Sequence, residues 1–177
     1  MATYAVLLRG VNVGGHRKVP MARLREALEA AGFDRVRTYI QSGNIVLDSH
    51  RDAGEVGEAV AAVILEAFGH TVPVMVRSAA EMDRIAASDP FAGRGLDESK
   101  VTVAFLSAPA PALAVPAGRP EEAHVRGREV WVYYPEGLGA STLDRSGFWK
   151  PLGAVQSTVR NLRTVRRLRD MTARTPE

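Results

Sequence analysis

An apolar run from Thr3 to Arg9 (TYAVLLR) stops at Gly10, the pattern of a short buried strand. Pro20 to Ala31 then repeats at helical spacing. Met21, Leu24, Leu28 and Ala31 share a face, proline suits the first turn, and Gly32 fits the position just past the end. Arg35 to Ile40 alternates, with Val36, Thr38 and Ile40 on one side. Ser42-Gly43-Asn44 signals a tight hairpin, and Ile45 to Asp48 is the return strand. Gly54 to Phe68 carries an apolar stripe of Val56, Val60, Val63 and Ala67, with Ile64 and Phe68 beside it. Pro73 to Arg77 is a short strand whose leading proline marks a sheet edge.

That order, β-α-β-β-α-β, predicts an α+β fold: a ferredoxin-like sandwich over residues 1–77 with two helices on one face of an antiparallel sheet. Residues 78–177 form a second, less regular α+β lobe, packed with the first as one unit. Its expected elements are a helix over Ala79–Ala87, a strand over Val101–Leu106 and a proline-containing loop (Pro109, Pro111, Pro116, Pro120). A hairpin follows, formed by His124–Val125 and Glu129–Tyr134 and turning at Arg126-Gly127-Arg128. Pro135–Ala140 is a loop, Ser141–Gly147 a helical turn, and Asn161–Thr172 the final helix. No close internal repeat is visible.

Chain direction brings two distant stretches together. In this topology the first helix returns the chain so that strands one and two run the same way. The Gly10–Lys18 loop and the Ser42-Gly43-Asn44 turn therefore lie on one rim. Arg9, Asn12, Lys18, Gln41, Ser42 and Asn44 become neighbours, with Tyr39 just below. Donors and cations beside a helix N-terminus suit an anion, and Gly14 and Gly15 allow backbone to wrap it closely. Gly10 and Gly15 have the spacing of a Walker loop. His16 and Arg17, however, stand where Lys and Ser/Thr would reach phosphate and magnesium. The competing expectation is a structural turn in which Asn12 and Asn44 tolerate positive φ and cap backbone groups.

Composition narrows the class. The 177 residues contain no cysteine, which excludes disulfides and thiolate chemistry, and no 18-residue apolar run. A cytoplasmic protein with no membrane partner is expected. Positive charge concentrates at one end: residues 156–177 hold six arginines and two acids. In the final helix Leu162, Val165 and Leu168 share one face and Arg163, Arg166 and Arg167 another. Asn161 reads as N-cap with Thr164 three residues on. The four histidines are scattered without metal-ligand spacing, so no metal site and no cofactor are expected. Asp89-Pro90 and Asp97-Glu98 read as loop acids, and Trp131, Tyr133 and Tyr134 as strand packing.

The stretches LRGVNVGGHRKVPMARLREAL, TYIQSGNIVL and TVRNLRTVRRL, in that order, closely resemble a bacterial family of domains of unknown function numbered 1697. The resemblance implies an α+β fold with ferredoxin-like lobes and a cytoplasmic bacterial protein, and supplies no activity. Its motif marks Arg9, Gly10, Asn12, Gly14, Gly15, Tyr39, Ser42, Gly43, Asn44, Arg160, Asn161 and Thr164 as family-defining residues. Where the family usually has tryptophan after Arg-Asn, this chain has Leu162.

Three functional readings follow. The first is binding of a phosphate-bearing small molecule or nucleotide at the rim, completed by Arg160, Asn161 and Thr164 if the last helix docks there. The second is hydrolysis of phosphate or acyl phosphate at the same place. Acylphosphatases resemble this fold and put an arginine loop and an asparagine at this sheet end, which is fold-level analogy. The third is a nucleic-acid or protein-binding module using the arginine face of the last helix.

Overall fold

The computed structural model describes residues 1–173. The chain divides into two compact units, Met1–Arg84 with the stretch from Arg167 onward, and Ile85–Arg166.

In the first unit the strands are β1 (Ala2–Leu8), β2 (Asp34–Tyr39), β3 (Asn44–Ser49) and β4 (Val74–Ser78), with helices α1 (Met21–Ala30) and α2 (Ala53–Phe68) between them. The sheet order is β2-β3-β1-β4 and every neighbouring pair is antiparallel. This is the ferredoxin-like arrangement. One core cluster joins Tyr4, Val6 and Leu8 of β1, Ile45 and Leu47 of β3, Leu24 and Leu28 of α1, and Val56, Val60 and Ile64 of α2. Alternate residues of the inner strands thus meet both helices on one face. The buried stripe of α2 steps by four through Val56, Val60 and Ile64, while Ala67 is exposed. Asp52 and Glu55 close a capping box at its start, and Gly69 ends it in the left-handed conformation at φ +72°.

Edge strand β2 has a bulge between Asp34 and Arg37, with Arg35 at φ +46°. The bulge delivers the Arg35 guanidinium to the buried carboxylate of Asp48, which also accepts from Thr3 Oγ1 at 2.8 Å.

The second unit contains β5 (Val101–Leu106), β6 (Glu122–Arg126), β7 (Glu129–Tyr133) and β8 (Ser157–Asn161), in the order β6-β7-β5-β8, again antiparallel throughout. Renumbered from its own first strand, this is the same second-third-first-fourth order as the first sheet. The helices that would link the strands are replaced by the proline-containing loop and by 3₁₀ turns at Leu138–Ala140, Leu143–Ser146 and Lys150–Leu152. Strand β8 is absent from the sequence-based expectation, and the last helix, α4, spans Leu162–Thr172 instead of starting at Asn161. The remaining helix, α3, is Ala79–Ala87. Arg119, Glu121 and Ser141 tie two of the connecting loops: Glu121 accepts from Ser141 Oγ at 2.6 Å and from both Nε and Nη2 of Arg119.

Candidate functional site

The end of β1, the turn between β2 and β3, and the start of β4 meet at one rim of the first sheet, because β1 is antiparallel to both β3 and β4. Backbone bonds sew the three connections together. Leu8 N–H donates to the Gly43 carbonyl at 2.9 Å, and Arg9 N–H to the Pro73 carbonyl at 3.1 Å.

Asn12 adds a third stitch. Its Nδ2 donates to the carbonyls of Gln41 at 2.7 Å and Val19 at 3.0 Å, while its Oδ1 accepts from Val19 N–H at 2.8 Å. Its backbone stands at φ +56° and its N–H donates to the Arg17 carbonyl at 3.1 Å. Asn44 is fully buried as the first residue of β3, and its Nδ2 donates to Tyr39 O at 3.0 Å and Ser42 Oγ at 2.9 Å. Both asparagines bond the chain itself, as the structural-turn expectation had it, but only Asn12 stands at positive φ; Asn44 is extended within β3. The turn is four residues, Ile40 to Gly43, with Asn44 already in the strand.

Gly43 is required by close approach. At φ +85°, a Cβ there would stand 2.7 Å from Leu8 Cβ and from Val11 Cγ2. Ile40 sits at φ +51°, a strained conformation for a β-branched side chain, and is 51 % exposed.

Arg9, Gly14, Gly15, Lys18, Gln41 and Ser42 are exposed on this frame, and so are His16 and Arg17. The Arg17 guanidinium lies over Gly10, with Nη1 3.7 Å from where a Cβ would be. The helix beginning at Met21 has Pro20 as N-cap, no side-chain cap and no acidic residue in its first turn, so its leading N–H groups keep their partial positive charge. Arg23 in that turn rests over the Phe68 ring at 5.5 Å. None of the three rim connections contains an acid: residues 1–25, 35–47 and 67–80 have no Asp or Glu. Sequence reasoning overlooked Arg17, Arg23 and the Gly69–Pro73 connection. The signal for the last was available, since an antiparallel β1–β4 pair in this topology returns the α2–β4 loop to the same edge.

The remaining candidates are placed as follows. Tyr39 is half-buried beneath the guanidinium of Arg167, 5.9 Å from its ring centre. Arg160, Asn161 and Thr164 belong to the second unit. Buried Arg160 donates to Thr158 Oγ1 at 2.6 Å and Val159 O at 2.9 Å, and burial holds its pKa down to about 10. Asn161 caps α4, its Oδ1 accepting from Thr164 N–H at 2.9 Å. On the arginine face of α4, Arg166 pairs with Glu98 and Arg167 covers Tyr39. Among the described residues no three His, Asp or Glu side chains cluster to hold a metal ion, and no helix is long and apolar enough to cross a membrane.

This fold and this glycine-rich, asparagine-braced rim belong to a family defined by sequence. The chain is a member of DUF1697, described as a protein of unknown function, whose model matches residues 1–131. The third motif stretch, 158–168, lies beyond that match. The structure of the conserved bacterial protein SP0830 from Streptococcus pneumoniae is similar, with a TM-score of 0.70, 22 % identity, and coverage of 97 % of this chain and 99 % of that one. At that identity the likeness shows the fold. No curated protein matches the chain.

Proposed function

We propose that this is a cytoplasmic protein that binds a phosphate-bearing small molecule or nucleotide at the rim formed by the Gly10–Lys18 loop, the Ile40–Gly43 turn and the Gly69–Pro73 connection. The observation that carries the reading is the charge of this rim: exposed Arg9, Arg17 and Lys18 stand on the β1–α1 connection, and neither it nor the two connections beside it contains a carboxylate. In such a site the nearby cations attract a bound anion. The N–H groups of Gly14 and Gly15, at φ +57° and +77°, and the uncapped start of α1 supply donors suited to phosphate oxygens. Ser42 contributes a hydroxyl. Asn12 and Asn44 act here as braces that fix the loops, not as ligands.

Binding is favoured over hydrolysis. The asparagine on which the hydrolytic reading rested is buried, with its amide engaged by Tyr39 and Ser42.

Thermal unfolding in the presence of pyrophosphate and of ATP tests the proposal. At a ligand concentration ten times Kd the gain is about 1.4 kcal/mol, a rise in Tm of about 3–5 °C for a chain of this size. Arg9→Ala combined with Lys18→Ala removes that rise and leaves the unliganded Tm close to wild type. A rise of equal size in the double variant contradicts the assignment.

A further inference from the structure

We propose that a cavity in the second unit, beneath the stretch between α3 and β5, binds a small organic cation: a primary ammonium or guanidinium group carried on an apolar body. This site is separate from the rim and does not depend on it. The stretch leaves a space of about 430 Å³, within the range of about 300–1,000 Å³ typical of small-molecule pockets. Phe91, Leu96 and Leu162 supply apolar lining, and Asp89, Glu98 and Arg166 supply charge.

The carboxylate of Asp89 carries the argument. Its side chain is only 7 % exposed. Oδ1 accepts from Phe91 N–H at 2.8 Å, whereas the cation facing Oδ2, Arg166 Nη2, is 3.9 Å away and too far for a hydrogen bond. A carboxylate largely withdrawn from water favours further donors. Arg166 is instead drawn to Glu98, with which its Nη1 makes a close ion pair. Two carboxylates and one guanidinium leave the lining with one excess negative charge. Two other cations of the stretch have their own partners: Arg94 pairs with Glu122 at 2.9 Å and lies over the Phe91 ring at 5.7 Å, and Lys100 donates to the Pro135 carbonyl at 3.0 Å.

Aromatic contacts anchor Phe91, and the glycines leave space beside them. Phe91 packs edge-on against His124 at 5.3 Å and tilted against Tyr133 at 5.9 Å. Gly93 and Gly95 line the cavity with nothing within 4 Å of where a Cβ would stand. An ammonium entering here donates to Asp89 Oδ2 and to Glu98, and its apolar body lies against Phe91, Leu96 and Leu162. An anion would meet the two carboxylates, and a neutral ligand would leave Asp89 Oδ2 without its donor.

Calorimetric titration of the full chain with phenethylamine and n-hexylamine, set against 2-phenylethanol and 1-hexanol, tests the site. The amines should bind saturably and about tenfold or more tighter than the alcohols. Asp89→Asn should weaken amine binding about tenfold, and Glu98→Gln, at a partly exposed position, about threefold. Arg166→Gln should strengthen it, because two carboxylates then lack their internal counter-ion. Should Asp89→Asn not fold, the Glu98 and Arg166 variants decide. Amines that do not bind, or bind no better than the alcohols, overturn the proposal. So does unchanged affinity in Glu98→Gln, or weaker binding in Arg166→Gln. Arg9→Ala with Lys18→Ala should leave the amine titration unaltered. Loss of amine binding in that rim variant would place the amine elsewhere and overturn the assignment.

Discussion

The side-chain amide of Asn12 donates to the backbone carbonyl of Gln41 at 2.7 Å, joining two loops 29 residues apart in sequence. The same amide exchanges hydrogen bonds with both backbone groups of Val19, so one side chain closes the loop on itself and fastens it to the neighbouring turn. Asn12→Ala leaves those backbone groups unpaired and should cost about 1–3 kcal/mol in urea unfolding. Asn12→Asp should cost at least as much, because a carboxylate has no N–H to offer and would face the carbonyls of Val19 and Gln41. An aspartate variant as stable as wild type would show that the amide is not the fastener.

Gly43 and Ile40, at the two ends of the same turn, should respond with opposite signs. A methyl group on Gly43 has no room between Leu8 and Val11, and its positive φ adds strain. Gly43→Ala should therefore destabilise by about 3 kcal/mol or more. Ile40→Gly relieves a β-branched residue at φ +51° and should stabilise by about 1 kcal/mol, as should Ile40→Asn to a smaller extent. Equilibrium unfolding of the three variants measures both effects.

The ferredoxin-like lobe was legible because its breakers fall at element ends: Gly10 after β1, Gly32 after α1, Gly69 after α2 and Pro73 before β4. Strand β8 was not, because its pattern is inverted. Thr158 and Arg160 are its buried positions, while Val159, its one aliphatic residue, is only half-buried. An alternation whose buried members are polar does not read as a strand. The second sheet was expected as a further α+β lobe, but its repeated strand order was harder to read, since loops and 3₁₀ turns replace the helices that would have marked it. At the rim the meeting of Asn12 with Gln41 followed from chain direction alone. The use of the Asn12 and Asn44 amides did not, because an asparagine in a glycine-rich loop looks the same whether it faces a ligand or a carbonyl.

Glu121 makes the second unit sensitive to acid. The hydroxyl of Ser141, against the opposing effect of burial, and then the guanidinium of Arg119 hold its carboxyl below the ordinary value of 4.5. A depressed folded-state pKa means stabilisation that is fully present above the unfolded value and lost as pH falls through the lower folded value. Wild type should therefore exceed Glu121→Gln in urea midpoint at pH 7, and the gap should close as pH drops below 4.5. A gap that is constant from pH 7 to about 3 would contradict an electrostatic role for this carboxylate.

The rim's role as a phosphate site is tested most directly by amide chemical-shift mapping during titration with pyrophosphate. The largest changes should fall on Gly14, Gly15, Ser42 and the first turn of α1, with saturation at a common Kd. They should disappear in the Arg9→Ala, Arg17→Ala, Lys18→Ala triple variant, whose spectrum otherwise remains that of the folded chain. Saturating shifts that map away from these amides, or that persist unchanged in the triple variant, would contradict the assignment of the rim as the binding site.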